Sequence, residues 1–169
     1  MIEYRDATDA DAAAIAELFE RSFVETFGHL YRAEDLAAFL GRFTLDAWRR
    51  ELGDPSLRLR LALAEGVPAG FAKLGPVGLP VEPAGAAAEL RQLYLTRAFH
   101  GRGIAQGLMG WVLGEVRASG AEELFLSVWS GNARAKSFYR RYGFTYVAPY
   151  AFMVGEQADE DEIWRLALT

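Results

Sequence analysis

Residues 99–109 read Phe-His-Gly-Arg-Gly-Ile-Ala-Gln-Gly-Leu-Met. Gly101 and Gly103 flank Arg102, and an apolar-periodic segment begins at Ile104. Glycine inside an element costs roughly 1 kcal/mol relative to alanine, so this pair needs a reason. One reason is a ligand that must approach the backbone closely. A strand feeding a glycine-rich turn and then a helix aims unpaired amides at one point, where the helix dipole adds about half a positive charge. That is chemistry for an anion, phosphate in particular. The competing reading is a tight strand-to-helix turn with no ligand. A dinucleotide fingerprint needs glycines at relative positions one, three and six; Gly101 and Gly103 supply two, and Gln106 stands at the third. This disfavours a dinucleotide-binding oxidoreductase. The Gly-Lys-Ser/Thr of a nucleoside-triphosphate loop is absent as well.

Composition narrows the remaining chemistry. The 169 residues contain no cysteine, which excludes disulfides, thiolate nucleophiles and cysteine metal sites. His29 and His100 are the two histidines, too few for a multi-histidine metal centre, so no metal is expected. The net charge of −5 argues against nucleic acid or an anionic membrane as partner and leaves room for a cationic substrate. The first residues carry acids and no apolar h-region, and no apolar run approaches the roughly 20 residues that span a bilayer. A cytoplasmic protein is expected, folded as a single domain over residues 1–169.

The elements that must position the glycine stretch are legible from periodicity. A strand over Ile2–Arg5 precedes Thr8 and Asp11, which together suit a capping box, and Ile15, Leu18, Phe19, Ser22 and Phe23 follow at helical spacing. A second helix is predicted over Ala33–Leu40, and Thr44 is placed to cap a third with Trp48 and Leu52 inward. In residues 57–64 leucine alternates with Arg58, Arg60, Ala62 and Ala64, the pattern of a strand with one buried face. Glu65-Gly66 turns the chain into a strand over 68–74. Residues 75–88, with three prolines, read as a surface loop. A strand over 89–95 leads to the glycine stretch and to a helix with Ile104, Leu108, Met109, Val112, Leu113 and Val116 inward. Gly107, Gly110 and Gly114 are expected to let that helix pack closely on the sheet. Residues 124–129 are apolar on both faces, as in a central strand, and Trp129 is assigned to the core. Asn132 begins a short helix ending at Gly143, and strands over 144–148 and 163–168 close the chain, with 151–154 pairing between them. The acidic run Asp159–Glu162 reads as a solvated hairpin tip. A strand, crossover helix and parallel strand sit at the centre.

The stretches "LYLTRAFHGRGIAQGLM" and "SVWSGNARAKSFYRRYGF" together resemble the GNAT-type N-acetyltransferase superfamily. Its pyrophosphate loop runs Gln/Arg-x-x-Gly-x-Gly/Ala. Here His100 stands at the first position, a departure, and Gly103, Ile104 and Ala105 close the match. Asn132 through Phe144 match the family's closing block. The resemblance implies an α/β (α+β) domain with a mixed central sheet of about six or seven strands flanked by helices. A splayed strand pair would form the acyl-CoA slot. It implies acetyl-CoA as the ligand, with the pyrophosphate held by His100, Gly101, Arg102, Gly103, Ile104, Ala105 and Gln106. The backbone of Leu93, Tyr94 and Leu95 would hold the pantetheine like an added strand. The first helix, the closing block and the ending "FMVGEQADEDEIWRLAL" further resemble bacterial PaiA-type polyamine acetyltransferases.

Without cysteine or a Ser-His-Asp spacing, a covalent acyl-enzyme is disfavoured, and direct attack of a primary amine on a thioester fits better. Tyr139 matches the family tyrosine that protonates the leaving thiolate; a phenol with pKa near 10 stays protonated until charge develops on sulfur. Asn132 lies seven residues earlier on the same helix face, also at the cofactor. Glu89 starts the strand leading into the slot and is the expected general base, acting through water; the competing reading is a solvated strand-end charge. Arg102 is favoured over Arg134, Lys136, Arg140 and Arg141 as a phosphate ligand. Glu25, Glu34, Asp35 and Glu82 are the carboxylates available to a polyamine. A non-catalytic acyl-CoA-binding regulatory module is the alternative function, which the presence of Tyr139 and Glu89 disfavours.

Overall fold

The computed structural model describes residues 1–168. Seven strands form one sheet: β1 (Ile2–Asp6), β2 (Arg58–Ala64), β3 (Val67–Gly75), β4 (Ala87–Leu95), β5 (Glu123–Trp129), β6 (Thr145–Val154) and β7 (Gln157–Ala167). Their order across the sheet is β1-β2-β3-β4-β5-β7-β6. Helices α1 (Ala12–Phe27), α2 (Ala33–Leu40) and α3 (Leu45–Leu52) precede β2; α4 (Ile104–Ala118) crosses from β4 to β5, and α5 (Ala133–Arg141) follows β5. Every strand pair is antiparallel except β4–β5. This is the expected mixed α/β sheet with one parallel crossover. No helix among the described residues is long and apolar enough to cross a membrane.

Local chemistry starts and stops the helices as the sequence predicts. Asp11 accepts the Thr8 amide and a bidentate pair from the Arg5 guanidinium, both at 2.8 Å. That pairing holds the Asp11 carboxyl well below its usual range, at about 2. Thr44 Oγ1 accepts the Ala47 amide at 3.1 Å and caps α3. Gly143, at φ +97°, ends the helical block.

Two apolar layers sandwich the sheet. On one face α4 buries Ile104, Leu108, Met109, Val112 and Val116 against Ala62, Ala72, Leu124 and Leu126. On the other, Ile15, Phe19 and Phe23 of α1, with Trp48 of α3, pack on Leu59, Leu61, Leu63 and Phe71. The pattern of β2 therefore needs correction. Its leucines face α1, but Ala62 and Ala64 are equally buried under α4, so its second half is covered on both faces. Arg58 and Arg60, at its open end, lie over the Trp111 ring instead.

A larger difference lies at the C-terminal hairpin. The expected separate strands over 144–148, 151–154 and 163–168 are one continuous ladder of β6 on β7, turning at Gly155-Glu156. The acidic run Asp159–Glu162 is thus inside β7 and not at a tip. Asp159 and Asp161 are buried, while Glu160 between them is exposed.

The helix glycines also separate. A Cβ on Gly107 would overlap the Tyr4 hydroxyl and ring, whereas Gly110 and Gly114 face open space. Close packing explains the first alone. Gly110→Ala is therefore expected to stabilise the fold by about 0.5–1 kcal/mol, the helix-propensity gain. Gly107→Ala should lower stability by displacing the Tyr4 ring. Denaturant midpoints of the two variants, compared with the parent, check both signs.

Candidate active site

β4 and β5 pair only over Ala87–Glu89 and Glu123–Phe125. Beyond that point β4 remains bonded to β3 and β5 to β7, while the two strands separate from each other. A register shift opposite Lys73-Leu74 leaves Arg91 as an extra residue on β4. The result is a wedge with an unpaired β4 edge on one side and Ser127–Trp129 on the other. A cavity of about 530 Å³ occupies it.

At one end of the cavity lies the glycine turn. Gly101 and Gly103 have φ +78° and +79°, the left-handed region where L side chains are strained, and a Cβ on either would meet nothing within 4 Å. The turn is therefore shaped by backbone conformation and open to an occupant. Gly103 is the N-cap of the 15-residue α4, so the amides of Ile104, Ala105 and Gln106 are first-turn donors without helical partners. These residues line the cavity with His100 and Gly101. An anion fits this cradle on conformation, open space and dipole together.

α5 forms an adjoining wall. Asn132 Oδ1 accepts the Ala135 amide at 3.1 Å and caps the helix, which fixes the rotation of its cavity-facing residues. Tyr139, two turns on, is buried and lines the cavity. Burial pushes its phenol well above the usual tyrosine value. Among the basic residues of this helix, Lys136 is engaged by Glu162 at 3.1 Å and Arg140 lies over the Trp164 ring, while Arg134 and Arg141 line the cavity.

The far end is aromatic and acidic. Phe23, Phe27 and Tyr31 line it with Phe39 and Phe152. Trp129 belongs here too, packed edge-on against Phe27, and not in the core to which the sequence assigned it. Asp159 and Asp161 project from one face of β7, and neither meets a basic side chain among the described residues. Asp159 accepts the Tyr31 hydroxyl and, at 3.2 Å, Gln157 Nε2. Asp161 Oδ1 is buried without any partner. Burial, then the neighbouring charges of Asp159 and Glu162, raise the Asp161 carboxyl to about 7. Tyr94 is also pushed up, by burial and then by Tyr139 and Asp161, which ties these three groups to one locality.

Most sequence-predicted residues thus meet in the cavity: Leu93, Tyr94, Leu95, His100, Gly101, Gly103, Ile104, Ala105, Gln106, Asn132 and Tyr139 all line it. Two do not. Arg102 is exposed, with its guanidinium over the Phe99 ring. Glu89 is a loop anchor: its Oε1 accepts the Gly78 and Leu79 amides at 2.9 and 3.1 Å, fastening the proline-rich segment. The four carboxylates offered for a cationic acceptor also lie elsewhere; Glu25 accepts the Arg97 amide, and Asp35 the Glu156 amide. Sequence reasoning missed Asp159 and Asp161. The available signal was their alternation with exposed Glu160 ahead of Ile163, one buried strand face.

The raised Asp161 carboxyl has a stability consequence. The folded state retains a proton that the unfolded chain releases near pH 4, so this group costs stability progressively as pH rises from about 4 to 7. Asp161→Asn is expected to melt higher than the parent at pH 8, with the difference shrinking as pH is lowered to 5. Thermal melts at the two pH values test this.

Residues 12–144 match the Acetyltransferase (GNAT) family. An uncharacterised N-acetyltransferase of Lactobacillus delbrueckii subsp. lactis is 27% identical over 165 residues, covering 95% of this chain and 94% of the relative. An uncharacterised N-acetyltransferase of Mycobacterium tuberculosis is 30% identical over 157 residues, covering 92% and 96%. In fold, the chain is similar to a PaiA N-acetyltransferase from Thermoplasma acidophilum solved with coenzyme A, at TM-score 0.80 and 20% identity over 99% of both chains. The matched span contains β4, the glycine turn, α4 and β5, and the chain belongs to the GNAT family of acetyltransferases.

Proposed function

We propose that this chain is an acetyl-CoA-dependent N-acetyltransferase in which a primary amine, of the polyamine class, attacks the thioester directly. The observation that carries this reading is the single cavity joining the open glycine turn to Asp161 through the gap between β4 and β5. When bound, acetyl-CoA supplies an activated acetyl thioester. Its pyrophosphate suits the first-turn amides of α4, with Arg134 and Arg141 as nearby cations in place of Arg102. The unpaired edge at Leu93–Leu95 suits the pantetheine amides, and one β4 amide would polarise the thioester carbonyl.

Asp161 takes the role first given to Glu89. An amine of pKa near 10 arrives as an ammonium and must lose a proton before it attacks. A cavity-lining carboxylate at about 7 is matched to that task. The neutral nitrogen forms the C–N bond, the C–S bond breaks, and the second nitrogen proton leaves to solvent. Tyr139 gives its phenol proton to the departing sulfur; its raised pKa keeps that proton in place until the sulfur is charged. The products are the N-acetylated amine and free coenzyme A thiol. The polyamine assignment draws on the sequence resemblance to PaiA-type enzymes, the acidic balance, and two cavity carboxylates without cationic partners.

Thiol release with acetyl-CoA and a panel of primary amines tests the reading. The rate should rise with pH through about 7 and lose that dependence in Asp161→Asn, with kcat reduced on the order of 10²-fold or more. Tyr139→Phe should lower kcat by roughly 10²-fold while acetyl-CoA still binds. Gly103→Asp, which sets a negative charge in the cradle, should weaken acetyl-CoA binding by about tenfold or more. No thiol release with any amine from a folded protein overturns the transferase reading. An unchanged pH profile in Asp161→Asn overturns the choice of base.

A further inference from the structure

Asp159 is more than nine-tenths buried and faces the cavity, yet no lysine, arginine or histidine among the described residues pairs with it. Removing a carboxylate from water without a counter-charge is costly, and folded proteins compensate such a group or use it. Asp159 is compensated only by neutral donors. The Tyr31 hydroxyl donates to Oδ2 and the Gln157 amide to Oδ1. These donors are themselves fixed. Tyr31 stacks on Phe23, with ring centroids 6.1 Å apart, and Gln157 Nε2 also donates to the Leu30 carbonyl at 3.4 Å. Asp35 of α2 accepts the Glu156 amide at 3.0 Å and fastens the hairpin turn to the same segment. The carboxylate is therefore held in one orientation toward the cavity.

A second observation points to a ligand. Asp161, two residues along β7 on the same face, is also about nine-tenths buried and has an oxygen without any partner. The strand rise puts the two residues about 6.6 Å apart. Between and around them the wall is aromatic: Phe23, Phe39 and Phe152 form a contiguous set, with Phe39 4.8 Å from Phe23 and 5.7 Å from Phe152 between centroids. Such rings accept methylenes by apolar contact and an ammonium by cation–π attraction.

Charge accounting then separates the two acids. Once Asp161 has taken the proton of the reacting ammonium it is no longer a counter-charge for a second cation, while Asp159 faces the cavity with neutral donors alone. We infer that Asp159, oriented by Tyr31 and Gln157, is a specificity subsite for a second cationic nitrogen of the acceptor, joined to the reacting primary amine by a short alkyl spacer lying against Phe23, Phe39 and Phe152. This rests on the transferase reading above and refines it: the acceptor is chosen by the placement of its second nitrogen and not by total charge. Amines bearing a carboxylate next to the reacting nitrogen are disfavoured by repulsion from both acids.

The test compares a linear terminal diamine with the monoalkylamine in which carbon replaces the distal nitrogen, both with acetyl-CoA and followed by thiol release. The ratio of their kcat/KM values is the readout, so effects common to both acceptors cancel. The parent protein should favour the diamine on the order of tenfold or more at low salt, and the ratio should fall as ionic strength rises. Asp159→Asn should bring the ratio close to one. Tyr31→Phe, which removes one orienting donor and keeps the ring, should lower the ratio mainly through KM of the diamine. A parent ratio near one overturns the subsite, and it is measured without any variant, so a failure of Asp159→Asn to fold does not protect the idea. A ratio unchanged in folded Asp159→Asn overturns it as well. Reaction of both amines at equal efficiency leaves the transferase reading standing; reaction of neither, nor of any other primary amine in the panel, overturns that reading instead.

Discussion

The rest of this molecule depends on one interrupted ladder. β4 and β5 are neighbours in the sheet and parallel, but they share hydrogen bonds only over three register pairs. Each strand keeps its outer partner, β3 or β7, so the interruption does not unravel the sheet. What it creates is a run of unpaired backbone groups on β4 facing a gap. Those groups are left for water or an occupant of the gap to bond with. The extra residue at Arg91, and the Arg91 guanidinium bonded to the Pro76 carbonyl at 2.7 Å, mark where the strand bends away.

Two opposite electrostatic environments sit along that gap. At the α4 end, open amides, a helix dipole and two arginines favour an anion. At the β7 end, two buried carboxylates without cationic partners favour a cation. Aromatic rings line the acidic end, and such apolar surroundings strengthen the attraction of a carboxylate for a cation. The cavity is thus polarised along its length, with its anion-favouring and cation-favouring ends on opposite sides of the gap.

The carboxylates of this chain show how partners decide role. Asp11, Glu89, Glu123 and Asp35 each accept backbone amides or a guanidinium, and each fastens a turn or a loop. Asp161 has no such donor on its buried oxygen, and its carboxyl is accordingly raised instead of lowered. The same functional group is held by donors in four places and shifted toward its neutral form in one, and the difference lies in which hydrogen-bond donors reach it.

By itself, the sequence determined the local features. Hydrophobic spacing gave the helices at Ala33 and Ile104, the central strand through Phe125, and the alternation of β2. Glycines in the left-handed region, the Thr8, Thr44 and Asn132 starts, and the two matching blocks around Gly103 and Tyr139 are all properties of short segments. They located the glycine-turn end of the cavity because that end is built from one strand-turn-helix unit and the helix after the next strand. The acidic end is built from α1, the Tyr31 segment, β6 and β7, whose residues lie more than a hundred positions apart. Whether Glu89 or Asp161 faces the gap depends on loop amides and strand pairing that no window of sequence contains. A run of acids reads as solvated until the β6–β7 register turns alternate members inward, and only tertiary packing, by withholding a counter-charge from them, makes two of those acids chemically distinct from the rest.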